Sequence, residues 1–203
     1  MWQTGDFQRF RNDIIERYPE SGTVTFGVLI ADARQSDSKE YIINYLRFFH
    51  TASGAGFDFF IPGYTDINFA DETRIAVVTI GQTEYFFSPR RFDDFITGLE
   101  NIFGIRYTFN PMLILFEVAD NHFGEAKKKI IKLDAIKGGV RQSGELFRKI
   151  FDAVNQRGPQ IDDIKHEFGL TYLKGNWLSI FLNVTKLPVV KELHDRYKDF
   201  HRF

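Results

Sequence analysis

The stretch TVTFGVLIAD, residues 23–32, is a nearly continuous apolar run rich in β-branched side chains and closed by an aspartate. A strand that is apolar on both of its faces has to be covered on both, so this run predicts an inner strand of a sheet flanked by helices. The next residues, 36–54, offer Ser36, Asp37 or Ser38 as a helix cap, place Ile42, Tyr45, Leu46 and Phe49 on one face, and close at Gly54. That is the pattern of a helix of about four turns. FDFFIP at 57–62 reads as a second buried strand. Strand, helix and strand in that order predict a parallel pair with a right-handed crossover.

Around this unit the periodicity continues. Phe7, Phe10, Ile14 and Tyr18 recur at helical spacing and stop near Pro19. RIAVVTI and TEYFF, separated by Gly81-Gln82, read as a β-hairpin, which makes the sheet mixed. Ser88-Pro89 then open RRFDDFITGLENIFG, the strongest helical pattern in the chain, with Phe92, Phe95, Ile96, Leu99, Ile102 and Phe103 in one stripe and Gly104 as its stop. MLILFEV at 112–118 is a further strand and KIIKL at 129–133 a weaker one. From Gly138-Gly139 onward the pattern is helical only: Leu146, Phe147, Ile150, Phe151 and Val154 mark one helix, Ile161, Ile164 and Phe168 a second, 177–187 a third, and Val189, Leu193, Tyr197 and Phe200 a last one after Pro188. The fold class is α/β: a three-layer mixed sheet with a parallel strand-helix-strand core, one β-hairpin and a C-terminal helical extension. Residues 1–137 form the α/β domain, and 138–203 the helical extension packed on it as one structural unit.

Charge and cysteine usage exclude several functions. Lys+Arg 26 against Asp+Glu 27 leaves a net charge of -1, so no global field draws the chain to nucleic acid or to an anionic membrane. The densest basic run, Lys127-Lys128-Lys129, reads as a solvated face. With no cysteine there is no disulfide, no thiolate metal site and no thiol nucleophile, in keeping with a reducing compartment. The first residues lack the apolar core of a secretory signal, and no apolar run approaches about 18 residues. These features predict a cytoplasmic protein. The 23 phenylalanines predict a bulky aromatic core in preference to an aromatic cleft.

Ligands of open α/β sheets bind beyond the carboxyl ends of the parallel strands. Applied to the three strands 23–32, 57–62 and 112–118, taken as parallel neighbours, this rule gathers Asp32, Arg34, Ser36 and Ser38, then Tyr64 and Asp66, then Asp120, Asn121 and His122 on one rim. Arg34 and the two serines suit an anionic group, Tyr64 a ring or a hydrogen bond, and Asp32 or Asp66 a hydroxyl. Capping and turn roles alone are enough to explain Ser36, Asp37 and Ser38, and turn chemistry explains Tyr64 and Asp66 equally simply. Were the chain an enzyme, His122 is the general base, oriented by Asp120 or Asp32. No P-loop, dinucleotide glycine fingerprint, nucleophile elbow or paired-histidine zinc motif is present, and the five histidines lie apart except His194 and His201, so no metal or cofactor is expected.

The strand, helix, strand order of the first third resembles TIR-like and other nucleotide-handling α/β folds. That likeness is of element order, carries no motif, and transfers no residue role. The expected function is a cytoplasmic α/β domain that binds a small polar or anionic ligand, of which a nucleotide or nucleotide-derived signal is the leading example. The alternative is a non-catalytic protein–protein interaction or effector subunit that self-associates as a homo-oligomer, or binds a protein partner, through aromatic surface and its C-terminal helices.

Overall fold

The computed structural model describes residues 2–4, 7–17, 23–52, 58–67, 73–119, 126–135 and 139–157. All of these belong to the first of two compact units, Met1–Glu167 and Phe168–Phe203. The helices expected beyond residue 157 lie outside the described residues.

The strands are β1 Trp2–Thr4, β2 Thr23–Ile30, β3 Asp58–Pro62, β4 Tyr64–Thr65, β5 Ile75–Ile80, β6 Thr83–Phe87, β7 Met112–Ala119 and β8 Lys127–Lys132. The α-helices are α1 Phe7–Arg17, α2 Leu46–Ala52, α3 Pro89–Phe103 and α4 Ser143–Arg157. Helices and strands therefore mix in an α/β arrangement. β1, β3, β2, β7 and β8 form a five-stranded sheet in that order, in which β1 and β2 run parallel to β3 while β7 is antiparallel to both β2 and β8. The parallel β2–β3 pair matches the reading of the sequence.

Three expectations are corrected. The strand at 112–118 is not parallel to the other two, since Ala119 pairs with Thr23 and Met112 with Ile30 along the full length of β2. The hairpin of β5 and β6 joins a separate three-stranded sheet, ordered β4-β6-β5, so the mixed character of the main sheet comes from β7 and β8. The single four-turn helix is broken into a π-turn at Ser38–Ile42, a 3-10 turn at Ile43–Tyr45 and the short α2. Its apolar stripe shows why spacing misleads here. Among the described side chains of this stretch Ile43, Leu46 and Phe49 are buried while Tyr45 is half-buried, as a wider turn ahead of them shifts the helical register.

Aromatic rings fix both faces of the main sheet. On one face Phe26, Phe60 and Phe116 meet Phe10 of α1 and Phe103 of α3, with Phe10–Phe60 centroids 5.0 Å apart and Phe103–Phe116 4.9 Å. On the other, Phe59 stacks on Phe49 of α2 at 5.2 Å and lies against Phe147 and Phe151 of α4. Phe59 and Phe60 are neighbours in sequence and take opposite faces because successive strand side chains alternate. Gly27, paired with Phe59, makes room for that ring: a Cβ there would sit 2.9 Å from its Cζ.

α3 obeys its sequence signals closely. Ser88 is the N-cap with Pro89 in the first turn, and Gly104 ends the helix in the left-handed conformation (φ 63°) with its N–H on the Glu100 carbonyl. Of the predicted stripe only Ile102 is exposed. Gly98 is where α1 crosses α3, because a Cβ there would lie 2.4 Å from Cβ and Cγ of Phe7. Gly98→Ala gains about 1 kcal/mol of helix propensity but overpacks a core ring contact, at about 1–3 kcal/mol. The net expectation is a lower urea midpoint, and a stabilised variant would mean that α1 does not rest on Gly98.

The lysine run lies on β8, an edge strand, and is engaged with the fold. Lys127 Nζ pairs with the buried Glu117 at 2.7 Å, and Lys128 Nζ donates to the Phe103 carbonyl at the end of α3. Lysines on an edge also discourage pairing with a further strand.

Candidate functional site

At the carboxyl end of β2 the chain leaves the sheet through Ala31, Asp32 and Ala33, all buried. Asp32 is 1 % exposed, a degree of burial that a carboxylate tolerates only when its charge is matched. Arg34 supplies the match twice over. Its backbone N–H donates to Asp32 Oδ1 at 2.8 Å, and its Nε–H approaches Oδ1 and Oδ2 at 2.9 and 3.0 Å. The same guanidinium spans to α3, where Nη1 and Nη2 donate to the two carboxylate oxygens of Asp93 at 3.1 and 2.7 Å. Arg34 is thus clamped by two acids, which hold its ionisation above the usual arginine range, with the hydrogen bond to Asp32 the largest cause and that to Asp93 the next. The face of Phe92 lies 5.8 Å below the guanidinium carbon.

Two tyrosines complete the group. Tyr64, from β4, is 1 % exposed and donates its hydroxyl to the Ala31 carbonyl at 2.6 Å, while its ring packs on Phe87. Tyr107, from the segment after α3, stands edge-on to Phe92 at 5.5 Å and against Phe109 at 5.6 Å. Burial, followed by the negative charge of Asp32, pushes the ionisation of both hydroxyls up, so both stay protonated at neutral pH. The Tyr107 hydroxyl is buried and has no hydrogen-bond partner. Phe109, two-thirds exposed, holds a left-handed backbone (φ 63°) that a phenylalanine rarely adopts.

The rim expected from the sequence is therefore half assembled. Asp32, Arg34 and Tyr64 lie close together at the exits of β2 and β3. Ser36 and Asp66 are exposed nearby in sequence. Ser38 is fully buried, with its hydroxyl unpartnered, and so serves neither as a cap nor as an outward-facing anion ligand. The N-cap position of the π-turn is Asp37, whose side chain makes no capping bond. Tyr64 does not offer its ring to a ligand, because the ring belongs to the core. Arg34 is not an open anion receptor, because two carboxylates already occupy it. Asp120, Asn121 and His122 lie outside the described residues, and the antiparallel direction of β7 ends that strand beside the start of β2, away from this rim. Their expected place on a shared rim loses its geometric basis.

Asp93, Phe92 and Tyr107 were not anticipated. Asp93 sits in a helix whose apolar stripe drew attention to its other face, and only the Arg34 bridge over 59 residues shows its part. Tyr107 carried no motif. Among the described residues no three histidine, aspartate or glutamate side chains gather as metal ligands would, and no helix is long and apolar enough to cross a membrane. Most phenylalanines of the described region are spent on the core.

The fold and the cluster together define a mixed-sheet α/β protein with an acid–arginine–acid clamp at the end of its parallel strands. No family model, no curated protein and no solved structure matches the chain.

Proposed function

We propose that this chain is a three-layer α/β domain that binds a small polar ligand where β2 and β3 end, beside Asp32, Arg34, Asp93 and Tyr107. The observation that carries the reading is Asp32: a buried carboxylate placed at the exit of a parallel strand, with its paired arginine reaching out to the half-exposed Asp93. Sites of open α/β sheets lie at such exits, and buried charge clusters are a common mark of binding or catalysis. The three-layer arrangement is supported by the rings on both faces of the main sheet. A nucleotide or a nucleotide-derived signal fits through its ring and hydroxyls, since Arg34 is taken and a phosphate has to be met elsewhere. The absence of cysteine supports a cytoplasmic setting. Self-association through aromatic surface has less support, because the phenylalanines that motivated it are mostly internal in the described region.

A thermal-shift screen against nucleotides, nucleosides and other polar metabolites tests the reading. A true ligand at about a hundredfold over its Kd contributes about 2.7 kcal/mol, or about 5–10 °C for a chain of this size. Asp93→Asn, an exposed substitution, should abolish most of that shift. A screen without hits, or hits that Asp93→Asn leaves untouched, would remove the site.

A further inference from the structure

Resting on that reading, we infer that Tyr107 is the specificity-determining contact, its hydroxyl donating to an acceptor oxygen or ring nitrogen on the edge of a planar ligand, the chemistry of a nucleobase. A buried hydroxyl without a partner is uncommon in a folded protein, and where one persists beside a charge cluster its partner is to be sought in what the cluster binds. Tyr107 stands edge-on to Phe92, the ring over which the Arg34 guanidinium lies, and this shared contact places it beside the Asp32–Arg34–Asp93 cluster. The phenol stays neutral there, so it is a donor. It wants an acceptor, and Asp32 is already engaged by Arg34.

The aromatic surroundings give the ligand its shape. Phe92 and Phe109 flank the Tyr107 ring, and Phe109 is 66 % exposed, the most exposed large apolar side chain of the described residues. Flat heterocycles stack on such rings. The segment from Gly104 to Pro111 contains neither helix nor strand, and Phe109 within it is the exposed ring on which a planar ligand would lie beside Tyr107. A site that presents an unpaired donor rejects ligands lacking the matching acceptor, because the donor then stays buried and unpaired.

Two measurements on the full chain test this. Without ligand, Tyr107→Phe removes an unsatisfied buried group and keeps the ring, so its melting temperature is expected to rise by about 2–4 °C. In calorimetric titrations with adenosine, guanosine, cytidine and uridine, at least one is expected to bind the unmodified chain and to bind Tyr107→Phe about tenfold more weakly. An unchanged or lower melting temperature would show that the hydroxyl is satisfied, and the inference falls. A nucleoside that binds Tyr107→Phe as tightly as the unmodified chain also overturns it, while loss of the same nucleoside in Asp93→Asn would leave the site standing. If none of the four binds, the nucleobase assignment is wrong. In that case a hit from the wider thermal screen that Asp93→Asn abolishes keeps the site, and a screen without one ends it.

Discussion

Phe60→Ala is expected to cost about 3–5 kcal/mol, enough to leave much of the chain unfolded at moderate urea. Phe60 is fully buried, and its ring is held edge-on by Phe10 at 5.0 Å and by Phe26 at 5.7 Å. Those partners come from different elements, α1 and β2, so the cavity left by the ring has little freedom to collapse. Phe59→Ala should cost a similar amount for independent reasons, since its neighbours Phe49, Phe147 and Phe151 all lie on the opposite face. The pair gives a test of the layers. Milder leucine replacements of Phe10 and Phe147, which pack on these two rings from opposite faces and share no ring partner, should have effects on the urea midpoint that add within about 0.5 kcal/mol. A coupling well beyond that would mean that the two rings share one core, and that helices do not cover both faces of the sheet.

Gly63→Ala comes next in size, at about 2–4 kcal/mol. Gly63 has φ 78°, in the left-handed region that costs an L-residue energy, and a Cβ there would meet Phe92 Cβ at 2.8 Å and Phe87 Cε2 at 3.0 Å. The position is where the chain passes from β3 in the main sheet to β4 in the small one. Its carbonyl also accepts from Ser88 N–H at 2.7 Å, which ties the start of α3 to the exit of β3. Shifting Gly63 therefore displaces Tyr64, whose hydroxyl holds the Ala31 carbonyl, and Phe92 beneath Arg34. Loss of stability in urea should be accompanied by loss of any ligand shift. A change under about 0.5 kcal/mol would mean that the turn relaxes freely, against the geometry above.

The parts of the candidate site that were legible in the sequence share one property: they follow a strand directly. Asp32 ends an apolar run, Arg34 is two residues on, and Tyr64 follows the Pro62-Gly63 turn, so local pattern located them and the parallel β2–β3 pair brought them together. The role of each depends on contacts that no local pattern carries. Spacing could not tell that the ring of Tyr64 packs inward on Phe87, or that Arg34 is consumed by Asp32 and by a helix residue far along the chain. The error over 112–118 has a similar origin. An apolar run has the same appearance in either direction, and only pairing partners fix its sense.

α3 shows what a sequence determines by itself. Its cap, first-turn proline, apolar stripe and terminal glycine are local chemistry, and each acts within a turn or two of its own position. Alternation likewise set Phe59 against Phe60, because the strand pleat leaves no other choice. Tertiary structure alone decided the direction of β7, the separation of the hairpin into its own sheet, and the meeting of Asp32, Arg34, Asp93 and Tyr107. Those outcomes depend on contacts between residues distant along the chain, whose energies are settled by what the whole core can bury and pair, and no short window of residues carries that information.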